Sequence, residues 1–519
     1  MFSHMKLHHP PTFFSLVLRA LRKHPGRTAF RQGELAVLYQ DVIDFMAKVQ
    51  RVLSSHGLRR GARVALLTEN RYETWCVSVA AQGLGAATSW LHPLSSLDSQ
   101  VSQIRDVAAT VLIIDTDGFK ARADELAAAL PDVAVFYVGE AGPGADLLTL
   151  VAEHEDVEPI DRAMATDIGT LNFTGGTTGR QKAIVREAGQ VALMAVAMNS
   201  ELELSDGVQY LAIALISHVT GQLIAPTLMR GGTVHLMKKF DAGQVLETIQ
   251  RERISATLMV PTMIYKLLDA PLEEFDLGSL QLVVYAGSVI APDRLREAIQ
   301  RIGPVFSQVY AQTECTPIAI LRRKDHDLDD PSSLAACGYP MATAEIAILD
   351  DSNQPLGAGE IGEICVRSPS VMQGYLEQAE ATQQALAGEW LHTGDIGFSD
   401  PRGRLSIVDR KKDMIVSGGS NVYPREVEDV LTAHAAVASA AVIGVPHATW
   451  GEAVAAFVVL REGAQAEAAD LIAYVRECKG SLIAPKQVIF ADALPTTPFG
   501  KIDKKKLRAP YWEREARPI

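Results

Sequence analysis

A chain of 519 residues exceeds the roughly 250–300 at which one hydrophobic core stops growing, so two or more domains are expected. At 48% apolar and 21% charged residues, extended disorder is excluded over most of the length. A net charge of −13 argues against non-specific attraction to nucleic acid or to an anionic membrane, with Arg410-Lys411-Lys412 and Lys504-Lys505-Lys506 as local basic exceptions.

The N-terminus, MFSHMKLHHPP, lacks the apolar core of a secretory signal, and Met5 offers an alternative start. The five cysteines (Cys76, Cys315, Cys337, Cys365 and Cys478) form no C-x-x-C pair. Neither structural zinc nor a disulfide framework is indicated, and a cytoplasmic location is expected.

From about residue 60, short β-rich runs alternate with helical stretches: VALLTEN then RYETWCVSVAAQGLG, VLIIDTD then an Ala-rich helix around Asp124 to Leu130. TVHLM, AGQVLETIQRER, ATLMVPT, LVVYAG and PDRLREAIQRI continue the alternation. Parallel sheets covered by helices follow from it, with ligands at the carboxyl ends of strands. Tyr210 to Met229 carries no formal charge over a length that matches a bilayer, but Ser217, His218, Gly221, Gln222 and Pro226 near its centre favour a buried strand, turn and helix.

After about residue 340, AEIAILDDSNQPLGAGEIGEICVRS and HTGDIGFSDPRGRLSIVDR read as a β-rich subdomain, and Lys411 to Ile519 as a final unit of mixed helices and strands. No internal repeat is present. The fold class expected is α/β: a large N-terminal domain (1–409) of doubly wound mixed sheets with a β-rich subdomain, and a small α+β C-terminal domain (413–519).

Phe173 to Ala183, FTGGTTGRQKA, holds three glycines, three threonines and a lysine after an apolar run. Such loops bind phosphate because residues without Cβ let backbone N–H groups converge on the oxygens, with hydroxyls and Lys adding donors. Taken alone it is equally a mobile turn, and it lacks the G-x-x-x-x-G-K-[ST] order of a P-loop.

Four further segments remove that ambiguity: VYAQTECTP (Val309 to Pro317), HTGDIG (His392 to Gly397), DRKKDMIVSGGSNVYPREVE (Asp409 to Glu428) and PTTPFGKIDKKKLR (Pro495 to Arg508). In this order, from about Phe13 to Arg508, they resemble the adenylate-forming superfamily, and within it the acyl- and aryl-CoA synthetases. The loop departs from the family pattern at Gly175 (usually Ser), Gln181 (usually Pro) and Ala183 (usually Gly). The missing Pro bears on backbone stiffness.

The resemblance implies ATP, Mg²⁺ and coenzyme A. Thr174, Gly175, Gly176, Thr177, Thr178, Gly179 and Lys182 would cradle the β- and γ-phosphates. Ala286, Gly287 and Ser288 would pass the adenine edge, and Tyr310 would lie against the ring beside Ala311 and Gln312. Thr313 would bond the α-phosphate, and Glu314 with Thr174 would serve the metal. Asp395 would accept both ribose hydroxyls, with Arg410 and Ile407 alongside. Lys501 would stabilise charge as a carboxylate attacks phosphorus. Without that context Lys501 is one more solvated lysine in a basic tail. The family rotates its C-terminal domain between two half-reactions: residues 410–412 form the implied hinge, centred on Lys412, and Ser417, Gly418 and Gly419 would line a pantetheine tunnel.

His218 matches a position at the acyl-pocket mouth, although a lone histidine is more often a core residue. Gln222, Thr262, Tyr265 and Tyr285 are further pocket candidates. Their mixture of apolar and polar groups suits an aromatic or a medium- to long-chain acid. No acidic residue is evident for an α-ammonium group. No carrier-protein signature follows YWEREARPI, so free CoA is the expected acceptor. A carrier protein in trans, a non-thiol acceptor, activation of another oxyacid such as nitrite, and a homodimer all stay open. A catalytically degenerate nucleotide-binding regulator is the rival from another class, and the retained Glu314, Asp395, Arg410 and Lys501 speak against it.

Overall fold

In the computed structural model, residues 10–155, 157–174, 181–417, 420–447, 450–481, 483–497 and 501–512 are described. Among them, strands assemble into sheets of eight, nine, four and five.

The eight-stranded sheet has a parallel centre: Arg63–Leu67 pairs with both Ala87–Trp90 and Val111–Asp115. The antiparallel hairpin of Ile168–Phe173 and Ala183–Glu187 joins its edge. The nine-stranded sheet runs parallel through Gln209–Ala212, Ala256–Met259, Leu282–Ala286 and Phe306–Tyr310. Ala256–Met259 and Leu282–Ala286 each lead into a helix, Pro261–Leu268 and Pro292–Ile302, as the alternating sequence pattern predicts, whereas Phe306–Tyr310 turns back into the antiparallel strand Ala319–Leu321.

Pleating explains why the strands read as continuous apolar runs. Val64 and Leu66 share one core with Val284 and Ala286, between the two sheets. Ala65 and Leu67 face an outer core on one side, Val283 and Tyr285 an outer core on the other. A strand buried on both faces has no polar side to show. Leu66 and Leu67 are fully buried, so truncating either to Ala costs about 2–5 kcal/mol.

The uncharged stretch from Tyr210 divides as expected into a strand, a 3₁₀ turn (Val219–Leu223) and a short helix (Ile224–Met229), with the Tyr210 hydroxyl donating to the Thr220 carbonyl. Among the described residues no helix is long and apolar enough to cross a membrane.

The β-rich subdomain is an antiparallel sheet of Glu345–Leu349, Gly362–Arg367, Leu391–Ser399 and Leu405–Arg410. Beyond it, Val437–His447 and Gly451–Leu460 form a long antiparallel pair covered by the helix Pro424–Ala433, with a separate apolar core.

Candidate active site

The site gathers where strands end. Leu282–Ala286 and Phe306–Tyr310 are parallel neighbours with Ala286 opposite Val309, so Gly287-Ser288 and Ala311-Gln312-Thr313-Glu314 leave the sheet side by side. Gly287 has φ +89°, a left-handed conformation that side chains disfavour. A Cβ built there would lie 3.5 Å from Val260 and 4.0 Å from Cε of Lys501. The glycine thus marks a narrow passage to which the C-terminal lysine reaches.

Asp395 and Arg410 face each other across two antiparallel strands. The Arg410 Nε stands 2.5 Å from one Asp395 carboxylate oxygen. The other oxygen accepts from the Tyr310 hydroxyl at 2.6 Å and from the Gln312 amide. Gln312 also donates to the Thr393 carbonyl at 2.9 Å. Asp395 keeps only 3% of its side chain exposed. Burial, and then Asp395 itself, hold the Tyr310 phenol far above its usual pKa, so it remains a donor. Tyr310 is buried within the subdomain core, under the carboxylate, and Thr393, Gly394, Arg410, Lys411 and Lys412 line an adjoining cleft.

On the first sheet, the base of the glycine-rich loop is closed by the Thr174 N–H donating to the Lys182 carbonyl at 3.0 Å. Gly175, Gly176, Thr177, Thr178 and Gly179 lie outside the described residues. Gln181, where the family has Pro, receives a hydrogen bond from the Gln103 amide. The Lys182 ammonium sits 4.6 Å from the centre of the Tyr375 ring, and the Tyr375 hydroxyl donates to Glu314 at 3.0 Å. Beneath, the buried Arg186 guanidinium donates to the Thr313 carbonyl.

Lys501 is solvent-exposed as a residue, yet protein surrounds much of its ammonium. That burial, followed by the Arg410 cation, lowers it to about 8, against the pull of Asp395 and Glu314. Burial also lowers the Lys412 ammonium. Ser417 is buried and pairs in register with Gly451, while Gly418 and Gly419 lie outside the described residues.

His218 is held 2.7 Å from the Ser217 hydroxyl and lies edge-on to His92, 5.0 Å between ring centres. Burial, then His92, lowers its pKa to about 3, so the imidazole is neutral at any working pH. Gln222 follows on the 3₁₀ turn, and Thr262 on the first turn of Pro261–Leu268.

Two of the pocket candidates, Tyr285 and Tyr265, pack with the outer core. Tyr285 points to the outer core and shares a hydrogen bond with His326 at 3.0 Å. The Tyr265 hydroxyl accepts from the Ala291 N–H at 2.9 Å, and its ring packs against that same outer core. The residues around His218 (Ile216, Leu223) belong to the inner core. Alternation along Leu282–Ala286 turns Tyr285 to the outer core, and the helix Pro261–Leu268 carries Tyr265 against the same core. Sequence reading missed Tyr375, Arg186, Asp409 and His92. Nothing local marks them, because their partners are distant in the chain.

A family model for AMP-binding enzymes matches residues 17–376, and one for the AMP-binding enzyme C-terminal domain matches 426–501. The chain belongs to the AMP-binding enzyme family. A medium/long-chain-fatty-acid–CoA ligase of Mycobacterium tuberculosis is 38% identical, over 97% of this chain and 91% of its own length. A feruloyl-CoA synthase of an Amycolatopsis species is 33% identical, over 95% of this chain and 97% of its own length. Among solved structures, an amide bond synthetase of Marinactinospora thermotolerans superposes with a TM-score of 0.89 at 33% identity, covering 95% of this chain and 99% of that one. The family expectation raised by the five motifs, including the adenylate-forming fold, therefore holds.

Proposed function

We propose that this AMP-binding enzyme is an acid:CoA ligase that couples an aromatic or medium- to long-chain acid to CoA in two half-reactions. The carboxylate oxygen attacks the α-phosphorus of ATP and pyrophosphate leaves. The CoA sulfur then attacks the acyl carbonyl, its proton passes to solvent, and AMP leaves. The convergence of the Asp395–Arg410 pair, the Thr313–Glu314 turn and Lys501 on one cleft carries the proposal.

Asp395 holds the ribose hydroxyls, prealigned by Tyr310 and Arg410. Thr313 and Lys501 flank the α-phosphate, where Lys501 offsets the charge that builds as the bond to pyrophosphate breaks. Mg²⁺ in such sites needs one or two carboxylates besides the phosphates, and Glu314, with one oxygen bound by Tyr375, fits that requirement. Bound there with ATP, the metal supplies neutralisation of phosphate charge. His218, neutral and half-buried beside His92, forms part of the acid pocket without introducing a charge. Residues 410–412 act as the hinge between 1–409 and 413–519. Four buried and unpaired cysteines fit a cytoplasmic location.

Similarity to the amide bond synthetase favours one second reading, in which the acyl-adenylate passes to an amine. A pyrophosphate-release assay over a panel of acids, with CoA, with an amine or with neither, tests both. Acid-dependent release that turns over only with CoA supports the ligase. Turnover with amine alone selects the second reading, and no acid-dependent release from any acid refutes both.

A further inference from the structure

Asp409 is a buried carboxylate on the N-terminal side of the hinge, next to the ribose clamp but not part of it. One of its oxygens is bound at the start of the hinge and the other beyond it. One accepts the Arg410 N–H at 2.7 Å, and Arg410 in turn holds Asp395. The other accepts the Arg425 N–H at 2.9 Å, in the first turn of the helix Pro424–Ala433, beyond the hinge. Helix N-termini leave their first N–H groups unpaired and carry a partial positive charge. The N-cap residue here, Tyr423, makes no side-chain capping bond, so the carboxylate from the other domain meets that need. Arg425 is itself buried, and its guanidinium returns across the hinge to the Ile407 carbonyl at 2.6 Å.

We propose that Asp409, with Arg425, is a positioning latch that holds the C-terminal domain where Lys501 reaches the phosphate site, and that it releases when the domain turns. The proposal rests on the two-half-reaction function above. Any bond between residue 409 and residue 425 spans Lys412, so a rotation there breaks it. The latch ties that rotation to the nucleotide, because the carboxylate that caps the moving helix also orients the arginine beside the ribose carboxylate. Charge-assisted hydrogen bonds of this kind shift a two-state balance about 10- to 100-fold.

The test uses Asp409→Asn and Arg425→Met. Cys478 is exposed and the other four cysteines are buried, so a spin label on Cys478 and a second on Asp124→Cys report the separation of the two domains without any substrate. The full-length protein is expected to give one narrow distance and both variants a broadened distribution. Acyl-adenylate formation should slow about tenfold in each variant, while thioester formation from supplied acyl-adenylate stays unchanged or quickens. A merely structural role predicts that both half-reactions fall together with the distance distribution still narrow, and that result overturns the latch. So does an unaltered distribution in both variants. If the unmodified protein forms no adenylate from any acid, the function proposed above fails, and the label distances alone decide the latch.

Discussion

Replacing Lys501 with Ala should slow acyl-adenylate formation about 100-fold and leave thioester formation from supplied adenylate within threefold. The size of the effect follows from the close charge separation expected between the Lys501 ammonium and the phosphate. Lys501 Cε comes within 4.0 Å of the position a Cβ would take at Gly287, the close approach expected of a side chain that meets the reacting phosphate. Two unit charges about 4 Å apart interact by about 4 kcal/mol at an effective dielectric near 20. The exposure of Lys501 to water and the partial charge of the transition state reduce this toward about 3 kcal/mol, or roughly 100-fold.

The pH dependence has a definite sign. Burial and Arg410 lower the ammonium to about 8, so the charged form is present below that pH and lost as pH rises through it. The kcat/KM of adenylation, which reports the free enzyme, should therefore fall above pH 8. Bound triphosphate favours the cation, so the limb in kcat should move upward. Lys501→Arg keeps the charge at every accessible pH and should abolish the limb while retaining part of the rate. Acid-dependent pyrophosphate exchange measures each quantity. Less than a threefold loss in Lys501→Ala, or a limb near pH 8 that survives in Lys501→Arg, would refute the assignment.

Asp395→Ala should raise the KM for ATP at least tenfold and lower stability by roughly 2 kcal/mol, read from a denaturant midpoint. Arg410 keeps 43% of its side chain exposed, so the charge left behind is partly solvated, below the cost of a fully buried orphan. Gly287→Val should raise the KM for ATP and lower the melting temperature together, because φ +89° strains any side chain and the new methyl groups crowd Lys501. His218→Ala should change the ranking of acids in the panel. In the unmodified enzyme no limb near pH 6.5 should arise from His218, since its pKa near 3 leaves it neutral from pH 5 upward.

The sequence by itself determined the alternation of strand and helix, the order of the motifs and the glycines at the passage. Each of these is local: a run of apolar residues buried on both faces, a turn without Cβ, or a short string whose members act from one loop. Tertiary structure decided which strings meet. Tyr375 reaches Glu314 because the two lie at facing strand ends, although 61 residues apart. Asp409 caps a helix in the other domain, a relation that no spacing rule encodes. Pleating likewise turned Tyr285 to the outer core, where the helix Pro261–Leu268 also brings Tyr265. Successive residues of a strand point to opposite faces, and which face holds the pocket depends on how two sheets stack, a long-range packing that the sequence does not spell out locally.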